Sequence, residues 1–295
     1  MAMRPVDLLV MVFVMLLWGF NFGFAKWGLQ EIPPILLMAM RFALTGLMLV
    51  PFVPLPRGRW LAILGVSVTL GCLHFPLMFT GLRDLDTATT SIAAQLQVPF
   101  SAILAWLAFR DRLRWRRLCG MALAFGGVVV IAGEPRVAGG LGSLLMIVGA
   151  AFFWALSTVQ IKRIGDIDGL QLAGWMSLLA APQLLAISLV LETGHVAAVA
   201  EAGWRTAVSL AYMTVVITAL SYKLWYKLLQ RYAVNQVMPF TLLVPVFGIV
   251  SGIAMLGESL SWTQVAGSAI VLAGVAIIVI RKPEVLEPRA SGSGS

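Results

Sequence analysis

Apolar residues gather in this chain into ten runs, each about as long as a bilayer is thick. A spanning helix needs roughly 20 mostly apolar residues. Runs of that kind fall near 6–27, 33–53, 60–80, 86–107, 114–133, 141–163, 169–191, 204–228, 234–256 and 262–281. Short polar connections separate them, several marked by Pro33-Pro34, Pro54-Leu55-Pro56, Glu134-Pro135 and Gly139-Gly140. The longest connection, near 192–203, carries His195 and leaves no room for a soluble domain. The pattern predicts an all-α integral membrane protein with ten transmembrane helices. The first run is long and lacks a small-residue cleavage site, so it reads as a span and not as a removable leader.

The same pattern occurs twice. Asp111, Leu113, Trp115, Gly120 and Gly127 return as Glu258, Leu260, Trp262, Gly267 and Gly274, each 147 residues later. Pro99 and Pro245 match at an offset of 146. Toward the front of each half, Trp18 and Trp154, Lys26 and Lys162, Leu36 and Leu172, and Met40 and Met176 lie 136 apart. Internal repeats of this kind decide the architecture before any other feature. The chain thus reads as an N-terminal five-helix repeat over 4–137, a C-terminal five-helix repeat over 138–282, and a tail over 283–295 ending in a Ser-Gly-Ser-Gly-Ser scar. Five is odd, so the two repeats must cross the bilayer in opposite senses. Inverted repeats around a midplane site are the architecture of many secondary transporters.

Composition and charge sharpen this reading. Of 295 residues, 60% are hydrophobic and 12% charged, against about 25% charged in soluble domains. The net charge of +8 does not point to nucleic acid, because the basic residues lie between the apolar runs. With the N-terminus inside, sixteen Lys and Arg fall on the inner side and four (Lys26, Arg83, Arg136 and Arg205) on the outer. Cytoplasmic loops carry the excess of Lys and Arg, which places both termini in the cytoplasm. Cys72 and Cys119 read as small packing residues, neither a disulfide nor a metal site.

Polar residues inside spans are few, and each is informative. Arg41 must face protein or water, or reach a boundary; His74 either packs through a neutral hydrogen bond or carries protons. Lys26, Lys162 and Lys223 close their spans, where a long stem can carry the charge to the interface. No carboxylate falls at mid-membrane. That argues for a neutral, zwitterionic or anionic substrate, moved passively or with protons through His74. Trp18 and Trp154 occupy equivalent positions, each followed three residues on by a polar side chain, Asn21 and Ser157. Apolar pockets with a few placed polar groups are the usual form of a ligand site. The residues expected along the path are Trp18, Asn21, His74, Met78, Gln95, Trp154, Ser157 and Thr241. Pro99 and Pro245 are expected to kink and gate the fourth and ninth spans. Gly120, Gly127, Gly267 and Gly274, with Gly126 beside them, are expected to pack the fifth span on the tenth. Asp111 and Glu258 read as N-terminal dipole partners of the helices that follow them.

The Trp18-Gly19-Phe20-Asn21 run, Pro99 and Pro245, and the doubled Asp/Glu-x-Leu-x-Trp-x4-Gly-x6-Gly motif together resemble the drug/metabolite transporter superfamily in its ten-helix EamA-type branch, over about residues 6–281. The resemblance implies a basket in which spans 1–4 and 6–9 surround a cavity while spans 5 and 10 pack together. It also implies export of amino acids or related metabolites, most like the bacterial aromatic amino-acid exporters. Four-helix relatives carry a carboxylate in the first helix where this chain has Trp18 and Asn21, so their proton antiport does not carry over.

The reading is a monomeric inner-membrane exporter of aromatic or other apolar amino acids, with lipid and a small solute as its partners, working by alternating access. The alternatives are export of drugs, sugar nucleotides or other metabolites, and a channel. Two histidines, no HExxH, no GxSxG and no paired mid-membrane carboxylates argue against an intramembrane enzyme. No cofactor, catalytic or metal residue is expected.

Overall fold

The computed structural model describes residues 4–109, 115–134, 140–232 and 234–280. Among these residues ten helices are long and apolar enough to span a bilayer: α1 Pro5–Leu29, α2 Pro34–Phe52, α3 Trp60–Asp84, α4 Thr87–Phe109, α5 Trp115–Ala132, α6 Leu141–Ile164, α7 Gly169–Leu191, α8 Trp204–Trp225, α9 Met238–Leu256 and α10 Trp262–Val279. The chain is a multi-pass, all-helical membrane protein. Asp111, the 137/138 repeat boundary and the tail over 283–295 lie outside the described residues.

Helix ends follow local chemistry. Pro5 opens α1, with Asp7 in its first turn and Lys26 in its last, the charge order that a helix dipole favours. Asp168 caps α7 by accepting from Leu170 N–H and Gln171 N–H at 2.9 and 3.0 Å. A capping box starts α10: Ser261 Oγ accepts from Gln264 N–H at 3.1 Å, and Gln264 Oε1 accepts from Ser261 N–H at 3.0 Å. Glu258 does not serve α10, contrary to the sequence expectation. It accepts from Thr87 N–H at 3.0 and 2.9 Å and from Thr87 Oγ1 at 2.9 Å, and so it caps α4. The loop after α9 turns back toward the first half at Gly257, which takes a φ of +67°.

Both halves interrupt the same helices in the same way. α3 widens into a π-helical stretch over Ser67–His74, and α8 does so over Tyr212–Ser221. α4 tightens to 3-10 over Ala94–Leu96, and α9 over Met238–Leu242. Pro99 and Pro245 each follow as the third residue of the next α-helical segment. A proline removes the bond to the carbonyl four residues back, here those of Gln95 and Thr241. The chain tightens at those carbonyls, so each interruption lies just before its proline. Pro182 leaves α7 continuous.

The contacts repeat when the halves are exchanged. α5 packs on α10 and α2 on α7; α1 packs on α9 as α6 does on α4; α6 packs on α3 as α1 does on α8. Two inverted copies would produce this set. The α5–α10 contact is a backbone approach. A Cβ on Gly120 would fall 2.7 Å from Gly274 O, and one on Gly127 would fall 2.8 Å from Gly267 O. Gly126 faces away, with nothing within 4 Å of its Cβ position, so it is no part of that contact. Large apolar side chains such as Leu9, Val129, Val190 and Ile253 stand exposed around the bundle, where lipid is their natural solvent.

Candidate functional site

α2 carries a cation into the bundle. Arg41 lies seven residues after Pro34, roughly 10 Å along the helix axis, and is 5% exposed. Its guanidinium carbon stands 5.0 Å from the Phe75 ring centroid and 5.8 Å from that of Phe42. Among the described residues Nη1 has no hydrogen-bond partner, and neither has the buried Oγ1 of Thr45, one turn further on. Arg41 makes no ion pair with any described residue. An unpaired charge at this depth is costly and marks a functional site by default.

Arg41 and Thr45 border a cavity of about 50 Å³. Phe42 from α2, Leu70 and Phe75 from α3, Trp154 from α6, Met176 and Ser177 from α7, and Thr218 and Tyr222 from α8 complete most of the wall. Residues of both halves therefore enclose it. Ser177 is the counterpart of Arg41 at the 136-residue offset, and the two face one space as hydroxyl and cation. Leu70 and Thr218 belong to the two π-helical stretches, a departure from α-geometry that recurs at functional sites.

A second tier of rings supports this wall. His74 lies 4.7 Å from Phe75 and 5.1 Å from Trp154 between centroids, and its Nδ1–H donates to Ala150 O at 2.8 Å. Trp18 stands 6.3 Å from Tyr222 and 5.0 Å from Trp225, and its Nε1–H donates to Ser221 Oγ at 2.8 Å. Of the residues expected along the path, Trp154 lines the cavity, while His74 and Trp18 brace its walls. Asn21 has a buried Oδ1 without a partner, and Met78 and Gln95 are buried. Ser157 and Thr241 each donate to a carbonyl of their own helix, Trp154 O and Met238 O, both at 2.7 Å. These last five do not line the cavity. Arg41 was legible as an anomaly, a charge inside an apolar run; the closure of Thr45, Ser177, Thr218 and Tyr222 around it was not.

A wider space of about 390 Å³ opens at the end where α1 stops, lined by Lys26, Trp27, Gln30, Asp86, Arg205 and Glu258 among others. Lys26 does not extend its charge away from the protein. Its Nζ lies 3.3 Å from Glu258 Oε1 and also donates to Leu85 O. Its counterpart Lys162 lies 4.0 Å over the Phe109 ring. Nearby, Gln264 Nε2 donates to Asp86 at 3.0 Å. Glu31 accepts from Thr206 Oγ1 at 2.6 Å, Gly203 N–H at 2.9 Å and Thr206 N–H at 3.3 Å. The Thr206 hydroxyl, ahead of these backbone donors and Arg205, holds the Glu31 carboxyl below its ordinary range. The other end is tied as well: Asp7 accepts from Tyr232 Oη at 2.6 Å and lies 3.2 Å from Arg231. There Trp175 Nε1–H donates to Pro54 O at 2.9 Å.

The family model of the EamA-like transporter family matches residues 6–133 and again residues 141–280. A protein of Salmonella typhimurium named "Probable amino-acid metabolite efflux pump" is 33% identical over 276 residues, covering 90% of this chain and 92% of its own. The Escherichia coli protein of the same name is 29% identical, covering 92% and 94%. A solved crystal structure superposes with a TM-score of 0.63 at 19% identity, covering 93% of this chain and 96% of that one, a likeness of fold alone. With both halves matched, the chain belongs to the EamA-like transporter family.

Proposed function

We propose that this protein is a monomeric exporter of amino acids, aromatic or other apolar ones, in a bacterial inner membrane, with both termini in the cytoplasm. The observation that carries the reading is the cavity deep in the bundle, enclosed by both halves and walled by Phe42, Phe75, Trp154 and Tyr222 with a few polar groups between them. Such a composition suits a small solute with an apolar side chain. The printed names of the Salmonella and Escherichia relatives support amino acids as the cargo.

At about 50 Å³ the cavity holds a few waters, so admitting an amino acid requires the walls to part. The interruptions in α3, α4, α8 and α9 offer places to bend, with Pro99 and Pro245 at the gating positions. Ties at both ends supply contacts that exchange as one side opens and the other closes. Alternating access by exchange between two related halves is the mechanism this suggests. The test is counterflow in proteoliposomes. Saturable exchange of labelled phenylalanine or leucine against internal unlabelled amino acid is expected, and non-saturable conduction would point to a channel instead.

A further inference from the structure

We infer that Arg41 is the anchor for a single carboxylate on the transported solute, with Thr45 as a second donor. The assignment rests on the export reading and deepens it by naming the head group the site selects. Guanidinium keeps its proton under all ordinary conditions, so Arg41 cannot relieve its burial by becoming neutral. Phe42 and Phe75 offer it only ring faces, at 5.8 and 5.0 Å, and no described carboxylate pairs with it. Its Nη1 and the Thr45 hydroxyl are both buried, both without partners among the described residues, and both on the wall of one cavity. A planar fork of donors with a hydroxyl one turn away fits a carboxylate, which can accept two parallel N–H bonds from guanidinium and one from the hydroxyl.

The rest of the wall sets the selectivity. The position equivalent to Arg41 in the second half is Ser177, and among the described residues no second cation lines the cavity. One negative charge is therefore matched, while doubly charged phosphate esters are not. No described residue of the lining is a carboxylate either, so a substrate ammonium meets hydroxyls and ring faces there. The site thus reads the acid and the apolar side chain, and the amino group adds little. Monocarboxylates without an amino group should bind alongside amino acids, and amines and amides without an acid should not.

The test uses the full-chain protein in nanodiscs with four probes: phenylalanine, 3-phenylpropionate, phenylalaninamide and phenethylamine. Binding is read by thermal shift, and exchange by counterflow in proteoliposomes. The two acids are expected to bind about tenfold or more tightly than the amide and the amine. Arg41→Gln should abolish that preference, and Arg41→Lys, which keeps the charge without the fork, should retain part of it. If Arg41→Gln does not fold, the comparison of ligands on the unaltered protein and a severalfold weakening of both acids by Thr45→Val decide the question. Equal binding of phenylalanine and its amide overturns the Arg41 assignment, and so does a failure of both acids to bind. Counterflow of phenylalanine and its amide at equal rates overturns the assignment and leaves amino-acid export standing. Binding of 3-phenylpropionate without binding or exchange of any amino acid supports Arg41 and overturns amino-acid export.

Discussion

The Lys26 ammonium lies 3.3 Å from a Glu258 carboxylate oxygen, although the two residues are 232 positions apart. Glu258 also takes the backbone and side-chain donors of Thr87, so one carboxylate joins α1, α4 and the loop after α9. Glu258→Ala should lower stability by about 1–3 kcal/mol, because it leaves partly buried donors without an acceptor. If this tie helps close its end of the protein, the substitution should also speed labelling of a cysteine placed at Met255 by a membrane-impermeant maleimide. Unchanged thermal stability together with unchanged labelling would show that the tie does neither.

The α5–α10 contact makes a sharper steric prediction. A Cβ on Gly274 would fall 2.5 Å from both Gly120 O and Ala124 N, where backbone cannot give way. Gly274→Val should destabilise the protein by about 1–3 kcal/mol or more and reduce its recovery from membranes. Gly126→Ala, pointing into open space, should be neutral or stabilise by up to about 1 kcal/mol. Denaturation of the two variants side by side checks the contrast, and equal behaviour would misplace the contact.

Trp18 and Trp154 are equivalent in sequence and unequal in place. Trp154 lines the cavity, whereas Trp18 is held by Ser221 and by the rings of Tyr222 and Trp225. Trp154→Ala should raise the KM for counterflow about tenfold with a modest loss of stability. Ser221→Ala, which strips the Trp18 indole of its acceptor, should cost about 1 kcal/mol of stability and change KM little. Transport kinetics and thermal unfolding of both variants separate the two roles.

Glu31 gives a pH dependence of known sign. Its carboxyl is held below the ordinary value of 4.5 in the folded protein, first by the Thr206 hydroxyl. A depressed carboxylate contributes stability that is complete above its unfolded pKa and is lost as pH falls through the folded one. Glu31→Gln should therefore lower the Tm at pH 7, and the difference from the unaltered protein should shrink as pH drops below about 4.5. A difference that stays constant from pH 7 to pH 3.5 would refute this account.

Much of this architecture was written locally. Ten apolar runs of bilayer length, short polar connections and a motif repeated at a fixed offset depend only on chain composition and spacing. In lipid a helix must satisfy its own backbone, so helix existence needs no tertiary information. Gly120, Gly127, Gly267 and Gly274 were legible as a packing stripe for the same reason: small residues on one face let backbones approach.

What surrounds Arg41 was decided only in three dimensions. Its position inside an apolar run was visible, but pairing α2 with α7 and bringing α3, α6 and α8 around it is a matter of helix rotation, which hydropathy that is high on every face does not encode. For the same reason Asn21, Ser157 and Thr241 were expected to face the path, whereas Ser157 and Thr241 donate to their own helices and none of the three reaches the cavity wall. Glu258 and Lys26 each looked like the property of one helix end, and the fold joined them to each other. The sequence by itself determined how many helices form, how long they are and that they are duplicated, because those follow from solvent and backbone. The tertiary structure decided which polar groups meet, because partners far apart in the chain are chosen by packing.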